Sequence, residues 1–453
     1  MSEKKNRGSF LRLLALCWLV FLTSFCAGIY IYVAKIWPYP IIITIEKFLA
    51  GHPEENTSLL EKLENDLDII PARHLVNSEK EYDIPEDYQE LKGLGLKSHR
   101  ENPRIFFAGN APKGYRVIQG VFDFKDSFHG VILFGQDQRV MNIWHIRQDD
   151  VEWEHRPDNN CFPHGFVIGR DGSIVTAFDA GTSLTKYDWC GNILWRVKGG
   201  FHHSIAFDGD SAIWTWGKVG AEIGYGDNLI KVDYRTGKIL KEFHMNEVVK
   251  ANLDIDIFSI LQEDSAEGSK WIGDESGGRW HVNDIDPLPA NLEQYYPRFK
   301  AGDLLLSLRS PDLICVIDPD TYRVKWWRQG LTRRQHDPDW NSKGTITIFN
   351  NNMHRGYSSI VELNPRSYEY HHVLKGKDYQ FYTWMRGKHQ LLPNGGYLIT
   401  STQQGRVFET NEKGDIVFEF INLFGKDKGF LAVSEAVFLP LDYFKELPEC
   451  AKQ

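Results

Sequence analysis

"QHDPDWNSKGTITIF", residues 335–349, holds a histidine, a short strand, a turn of Asn, Lys and Gly, and a second apolar strand. The same order recurs in "PHGFVIGRDGSIVTAF" (163–178), "HHSIAFDGDSAIWTW" (202–216) and "KHQLLPNGGYLITST" (388–402). Apolar alternation marks strands, and Gly beside Asp, Asn or Lys marks a tight turn. A third strand follows in "SLTKYDW" (183–189), "NLIKVDY" (228–234), "DLICVID" (312–318), "SSIVELN" (358–364) and "GRVFETN" (405–411). A fourth closes several units, as in "GNILWRV", "GKILKEF", "YRVKWWR" and "GDIVFEF". Four short antiparallel strands in a unit of roughly 40–50 residues is the pattern of a propeller blade. Units open near 115, 160, 200, 280, 335 and 388, the first of them degenerate. The expectation is an all-β, six-bladed β-propeller over residues 103–440, or seven blades if the insertion at 246–279 hides strands. A β-sandwich does not repeat one strand pattern so regularly.

Composition agrees with this class. The 453 residues carry 14 Trp, 19 Tyr and 27 Phe with frequent Gly, a mix suited to short strands and turns. The formal charge of −9 comes with no basic block, so no nucleic acid partner is expected. Before the repeat, "LLALCWLVFLTSFCAGIYIYVA" (13–34) runs 22 residues without a charge. At about 1.5 Å per residue it is long enough for a bilayer core of roughly 30 Å. Lys4, Lys5, Arg7 and Arg12 precede it. The positive-inside rule therefore predicts a cytoplasmic segment 1–12, a single-pass anchor at 13–34, and the rest on the periplasmic or extracytoplasmic side. No A-x-A site follows the run, which argues against a cleaved signal peptide. Residues 35–102 read as a juxtamembrane helical linker, with Pro71 and Pro85 breaking the pattern, and 441–453 as a tail. Of the exported cysteines, Cys161 and Cys190 share one unit and are the expected disulfide. No C-x-x-C pair argues for zinc.

The first strand of each blade lines a propeller's central channel. His164, His203, His336 and His389 all open that strand in their units, and His281 in "WHVNDIDPLP" holds a similar place. A shared register in a closed ring sends these side chains toward one mouth. One such histidine is usually a hydrogen-bonded structural residue, and His164 is the best candidate for that role. Five at one register suggest either a transition-metal site or the handling of an anion. Arg355, just past the strand at 346–349, favours the anion, because a guanidinium repels a divalent metal but clamps sulfate or phosphate oxygens.

"QHDPDW…ITIFNNNMHRGYSSIVELN" resembles the segment of bacterial arylsulfotransferases that runs Gln-His, strand, Asp-Asn-Gly, Arg-Gly, Tyr-Ser and strand. "WHVNDID" with "GDLLLSLRSPDLICVIDPDTYRVKWW" is similar to that family's His-x-Asn-Ser unit and Ser-x-Arg strand. "LPNGGYLITSTQQGRVFETNEKGDIVFEF" resembles its last complete blade. The resemblance covers roughly residues 110–425. It implies a six-bladed propeller that moves a sulfuryl group from an aryl sulfate to a phenolic acceptor by a ping-pong route through a sulfohistidine, with no metal or nucleotide cofactor. It implies catalytic roles for His281, His336 and Arg355, and blade position adds His389 as the nucleophile. His203, His164, Asn283 and Arg309 are the expected substrate contacts. Three departures stand out: "NNNMHRG" replaces Asp-Asn-Gly-x-x-Arg-Gly, "HVND" replaces His-x-Asn-Ser, and Ser359 stands where the family often has a second arginine. Two other functions fit the same pattern, a binding propeller without chemistry and a metal-dependent hydrolase. The sequence leaves donor, acceptor and oligomeric state open.

Overall fold

The computed structural model describes residues 16, 18–26, 87–91, 103–123, 127–137, 139–146, 162–179, 181–220, 226–258, 280–424, 429–446 and 450. The chain divides into two compact units, 1–62 and 63–453. In the first, residues 18–26 are helical. Among the described residues no helix is long and apolar enough to cross a membrane, and most of the expected anchor and linker lies outside them.

The second unit is built of antiparallel β-sheets in a propeller arrangement. Its inner strands are β1 (Phe162–Ile168), β2 (Ile193–Asp208), β3 (Val282–Pro287), β4 (His336–Trp340), β5 (Lys388–Leu391) and β6 (Val433–Pro440). β3 and β4 each begin a four-stranded sheet. β5 begins a six-stranded sheet, whose outer edge is completed by Gln89–Glu90 and Arg104–Phe107. β1 begins a seven-stranded sheet that stays continuous because the 16-residue β2 pairs with Ser183–Tyr187 through its first part and with Ala212–Val219 through its last.

Middle strands such as Leu304–Leu308 and Leu313–Ile317 are buried at every position, because neighbouring sheets cover both of their faces. Their sequences are accordingly almost continuously apolar. The outer strand Val324–Gln329 is only partly covered and mixes Lys, Arg and Gln with Trp. Between sheets the core is apolar. Trp214, Trp216 and Leu229 of one sheet pack with Val282, Leu304, Leu306 and Cys315 of the next.

Chain closure explains the degenerate first unit. Its sequence lacks an inner strand of its own, and β6 supplies one from the far end of the chain. β6 pairs antiparallel with Gly114–Asp123, in a register running from Val433↔Gly120 to Pro440↔Gly114. Leu398, Val407, Phe418 and Phe420 then pack on Ile118, Ile132, Phe134 and Val433. A buried bidentate pair spans this seam, with Arg116 Nε and Nη2 donating to Glu409 at 2.8 and 2.6 Å.

The disulfide differs from the expected one. Cys190 is bonded to Cys450, 260 positions away, rather than to Cys161, which lies outside the described residues. Sharing a unit did not decide the partner, because the C-terminal segment folds back onto the turn that carries Cys190. Tyr443 and Phe444 pack there against Trp189 and Tyr115. Cross-linking so long a loop restricts the unfolded chain. Cys450→Ser should therefore lower unfolding free energy by about 2–4 kcal/mol, measured by urea denaturation against the oxidised wild type. An unchanged urea midpoint would refute this role. Within the 246–279 insertion, helix Met245–Ala251 and Phe258 pack on Trp280, and residues 259–279 lie outside the described set.

Candidate functional site

The inner strands neighbour one another in a closed order: β1, β2, β3, β4, β5, β6 and back to β1. Most of them carry a register shift near the same point: around His164–Gly165 in β1, His203–Ser204 in β2, Asn283 in β3, Asp337 in β4 and Ser434 in β6. A bulge inserts one residue and re-aims the side chains around it. His203 and Asp337 take left-handed backbone angles there, with φ of 63° and 50°. Gly165 has φ of 90°, and a Cβ on it would stand 2.3 Å from the His203 carbonyl oxygen, so only glycine fits where β1 meets β2.

The bulges gather one polar group around Asp179. His164 Nδ1 lies 2.9 Å from Asp179 Oδ2 and His203 Nδ1 3.8 Å from Oδ1. The Arg386 guanidinium donates to Oδ2 at 2.9 Å and lies over the Phe162 ring. Burial works against the Asp179 charge, but His164, His203 and Arg386 together hold it well below the usual carboxylate range. The His203 ring lies 4.7 Å from that of His164 and 5.3 Å from that of His281, centroid to centroid. Burial lowers His164 and, more strongly, His203 and His336, and it takes His202 down to about 4.

Neutral rings let the hydrogen bonds assign tautomers. His164 donates Nδ1–H to Asp179, which puts its lone pair on Nε2. His202 Nε2 donates to the Gly226 carbonyl at 2.9 Å, so its Nδ1 accepts from His203 Nδ1 at 2.5 Å. That assignment puts the His203 lone pair on Nε2 as well. His336 has both nitrogens engaged: Nδ1 donates to Asn351 Oδ1 at 2.7 Å, and Nε2 accepts the Arg386 backbone N–H at 3.2 Å. Asn351 in turn donates to the carbonyls of Thr383 and Arg386. His336 and Asn351 thus form a clamp that fixes the Arg386 segment.

A second group lies on β3, β4, β5 and β6. Asp337 Oδ2 accepts from the His389 backbone N–H and faces its Nδ1 at 2.8 Å, while Lys388 Nζ bridges Asp337 and Asp284 at 2.8 and 2.9 Å. Burial pushes Asp284 up to about 6 and Glu435 up to about 8. Burial and the surrounding carboxylates raise Asp286 and Asp339 well above the usual range. Despite burial, Lys388 and His389 hold Asp337 down at about 2.

The structure therefore brings together only part of the expected set. His164, His203 and His281 meet, and His336 supports them from β4. Asn283 donates to the Gln335 carbonyl at 2.7 Å and ties β3 to the approach of β4. The Arg309 charge disfavours protonation of His336. Arg355 is exposed on a turn, where its backbone N–H bonds the Asn352 carbonyl. His389 belongs to the carboxylate group, facing Asp337 and Asp339. Asp179, Asn351 and Arg386 were missed. The one sequence signal for Arg386 was that Arg-Gly, found at 355–356, occurs again within the repeats at 386–387. Asp179 ends the strand Ile174–Asp179 that pairs with β1, and no local pattern distinguishes it from a turn residue.

No curated protein matches the chain. Among solved structures it is similar to a protein of unknown function from Bacteroides caccae, at 11% identity and a TM-score of 0.46, over 72% of this chain and 98% of that one. It is also similar to hydrazine synthase of Kuenenia stuttgartiensis (11%, TM-score 0.36, 64% and 69%) and virginiamycin B lyase of Staphylococcus aureus (11%, TM-score 0.32, 56% and 69%). At these TM-scores none of them bears on chemistry. The arylsulfotransferase (ASST) family model matches residues 165–423, more than half of the chain. The chain belongs to the arylsulfotransferase family.

Proposed function

We propose that this protein moves a sulfuryl group from an aryl sulfate to a phenolic acceptor by a ping-pong route, with His164 as the nucleophile. The observation that carries this is the Asp179 carboxylate, which receives His164 Nδ1–H on one side and the Arg386 guanidinium on the other. A carboxylate on Nδ1 fixes the tautomer and makes Nε2 the better nucleophile. The His164 Nε2 lone pair attacks sulfur, the bond from sulfur to the aryl oxygen breaks, and the phenolate leaves with a proton from His281. Arg386 stabilises the equatorial oxygens. A phenol then gives its proton back to His281 and takes the sulfuryl group from His164 Nε2, which restores both rings. The catalytic roles first expected of His389 and Arg355 pass to His164 and Arg386, because the carboxylates around His389 would repel a sulfate and Arg355 is exposed.

The test is incubation of the purified chain with p-nitrophenyl sulfate, with and without phenol. Nitrophenol release that multiplies with phenol, and a histidine peptide carrying one added SO3 when phenol is left out, are the expected results. Equal rates without acceptor would replace transfer with hydrolysis, and an inert chain would favour a binding propeller.

The ring is best counted as six blades, with the seven-stranded sheet divided within β2. The closed order of six inner strands supports that count. We place the propeller outside the cytoplasm, tethered by residues 13–34. The uncharged run behind a basic segment supports the tether, and the Cys190–Cys450 disulfide suits an oxidising compartment.

A further inference from the structure

The carboxylate group encloses a cavity of about 220 Å³, which plays no part in the sulfuryl-transfer scheme. Asp284, Asp286, Asp337, Asp339 and Glu435 line it, with Lys388 as the ammonium on its wall. Lys388 bonds Asp284 and Asp337 and is thereby used. No Lys or Arg among the described residues forms an ion pair with Asp286, Asp339 or Glu435, and the Lys388 charge that reaches them is shared with Asp284 and Asp337.

His389 is the independent indication of a ligand. Its side chain is fully buried, and Asp337 takes its Nδ1–H. The lone pair therefore sits on Nε2, which has no hydrogen-bond partner and faces Asp339 Oδ2 at 3.7 Å. A nitrogen lone pair aimed at a carboxylate oxygen is repulsive unless a positive charge lies between them. At 3.7 Å a shared proton makes no hydrogen bond. A metal ion about 2.1 Å from each atom holds two ligands about 3.4 Å apart at a tetrahedral angle, close to the observed gap. The Asp337–His389 pair also has the form in which a second carboxylate orients a metal-binding imidazole.

We infer that this hub binds one divalent transition-metal cation through His389 Nε2 and Asp339, at the cluster of Asp337, Asp339 and His389, whose ligand atoms lie within 4.8 Å of one another. One imidazole among carboxylates suits Mn2+ or Zn2+ better than a purely oxygen-seeking ion. The ion ties β4 to β5. This inference does not depend on the sulfuryl-transfer reading.

The test uses the full chain, stripped with chelator, dialysed, and titrated with MnCl2 while free Mn2+ is followed by electron paramagnetic resonance. One Mn2+ per chain should disappear from the free signal. His389→Gln and Asp339→Asn should each weaken binding at least tenfold. His164→Gln should leave it unchanged, which matters because His164, Asp179 and His203 also stand close enough to hold an ion. Asp339→Asn removes a repelled charge and should fold, as circular dichroism would check. If it does not, His389→Gln set against His164→Gln carries the comparison. Absence of stoichiometric uptake, uptake indifferent to the His389 and Asp339 variants, or uptake lost in His164→Gln would each overturn the inference.

Discussion

Replacing His164 with alanine should lower kcat/KM for aryl-sulfate-dependent transfer by on the order of 10³-fold or more, and should abolish the sulfated histidine peptide. The loss should fall on kcat, because the ring would act in bond formation rather than in holding the donor. Asp179→Asn should cost about 10²–10⁴-fold, since an amide no longer selects the Nδ1–H tautomer and leaves Arg386 without its carboxylate. Arg386→Lys keeps a charge but loses the planar fork, and a loss of about 10²-fold is expected. Arg355→Ala, on an exposed turn, should change turnover little. Steady-state kinetics with p-nitrophenyl sulfate and phenol measures all four. Full activity in the His164 variant would end the assignment, and a collapse in Arg355→Ala would restore the guanidinium first expected from sequence.

The second large effect concerns acid. His129 is buried against the Phe178 ring, and burial lowers it to about 4. Its unfolded value is about 6.5, so the unfolded chain takes up the proton first as pH falls. The stability this neutral ring contributes is complete above pH 6.5 and is lost as pH falls toward 4. The loss is roughly 3 kcal/mol for His129, and His202 contributes a similar amount. The cavity carboxylates act in the opposite direction. Glu435, raised to about 8, is more costly to the fold at high pH and gains stability as pH falls to its unfolded value near 4.5. The two ramps overlap and partly cancel in the whole-protein curve, so variants are needed to separate them. His129→Leu should gain roughly 3 kcal/mol on the wild type between pH 7 and pH 4, measured as a difference of urea unfolding free energies. A difference that stays flat over that range would show that the ring is not held neutral by the fold.

Strands, turns and their recurrence were legible in the chain because they are local. Two-residue alternation and a glycine such as Gly344, with φ of 72° in its turn, are set by neighbours a few positions away. The placement of His164, His203, His281 and His336 at one register was legible for the same reason, and the hub does bring them close. Which of them would be oriented by a carboxylate was not. His164, read as the most structural, is the one that Asp179 holds, and His389 ended among carboxylates. A bulge moves a side chain by one position, and a single-residue slip reverses its face.

The sequence by itself therefore determined the class of fold, the repeating unit and the family, because short-range patterning survives in every blade. Tertiary structure alone decided the pairing of β6 with Gly114–Asp123, the Cys190–Cys450 bond, the meeting of Arg386 with Asp179 across 207 positions, and the separation of the hub into a histidine group and a carboxylate group. Each depends on how twist and bulges accumulate around a closed ring. That sum runs over the whole chain, and no window of sequence contains it.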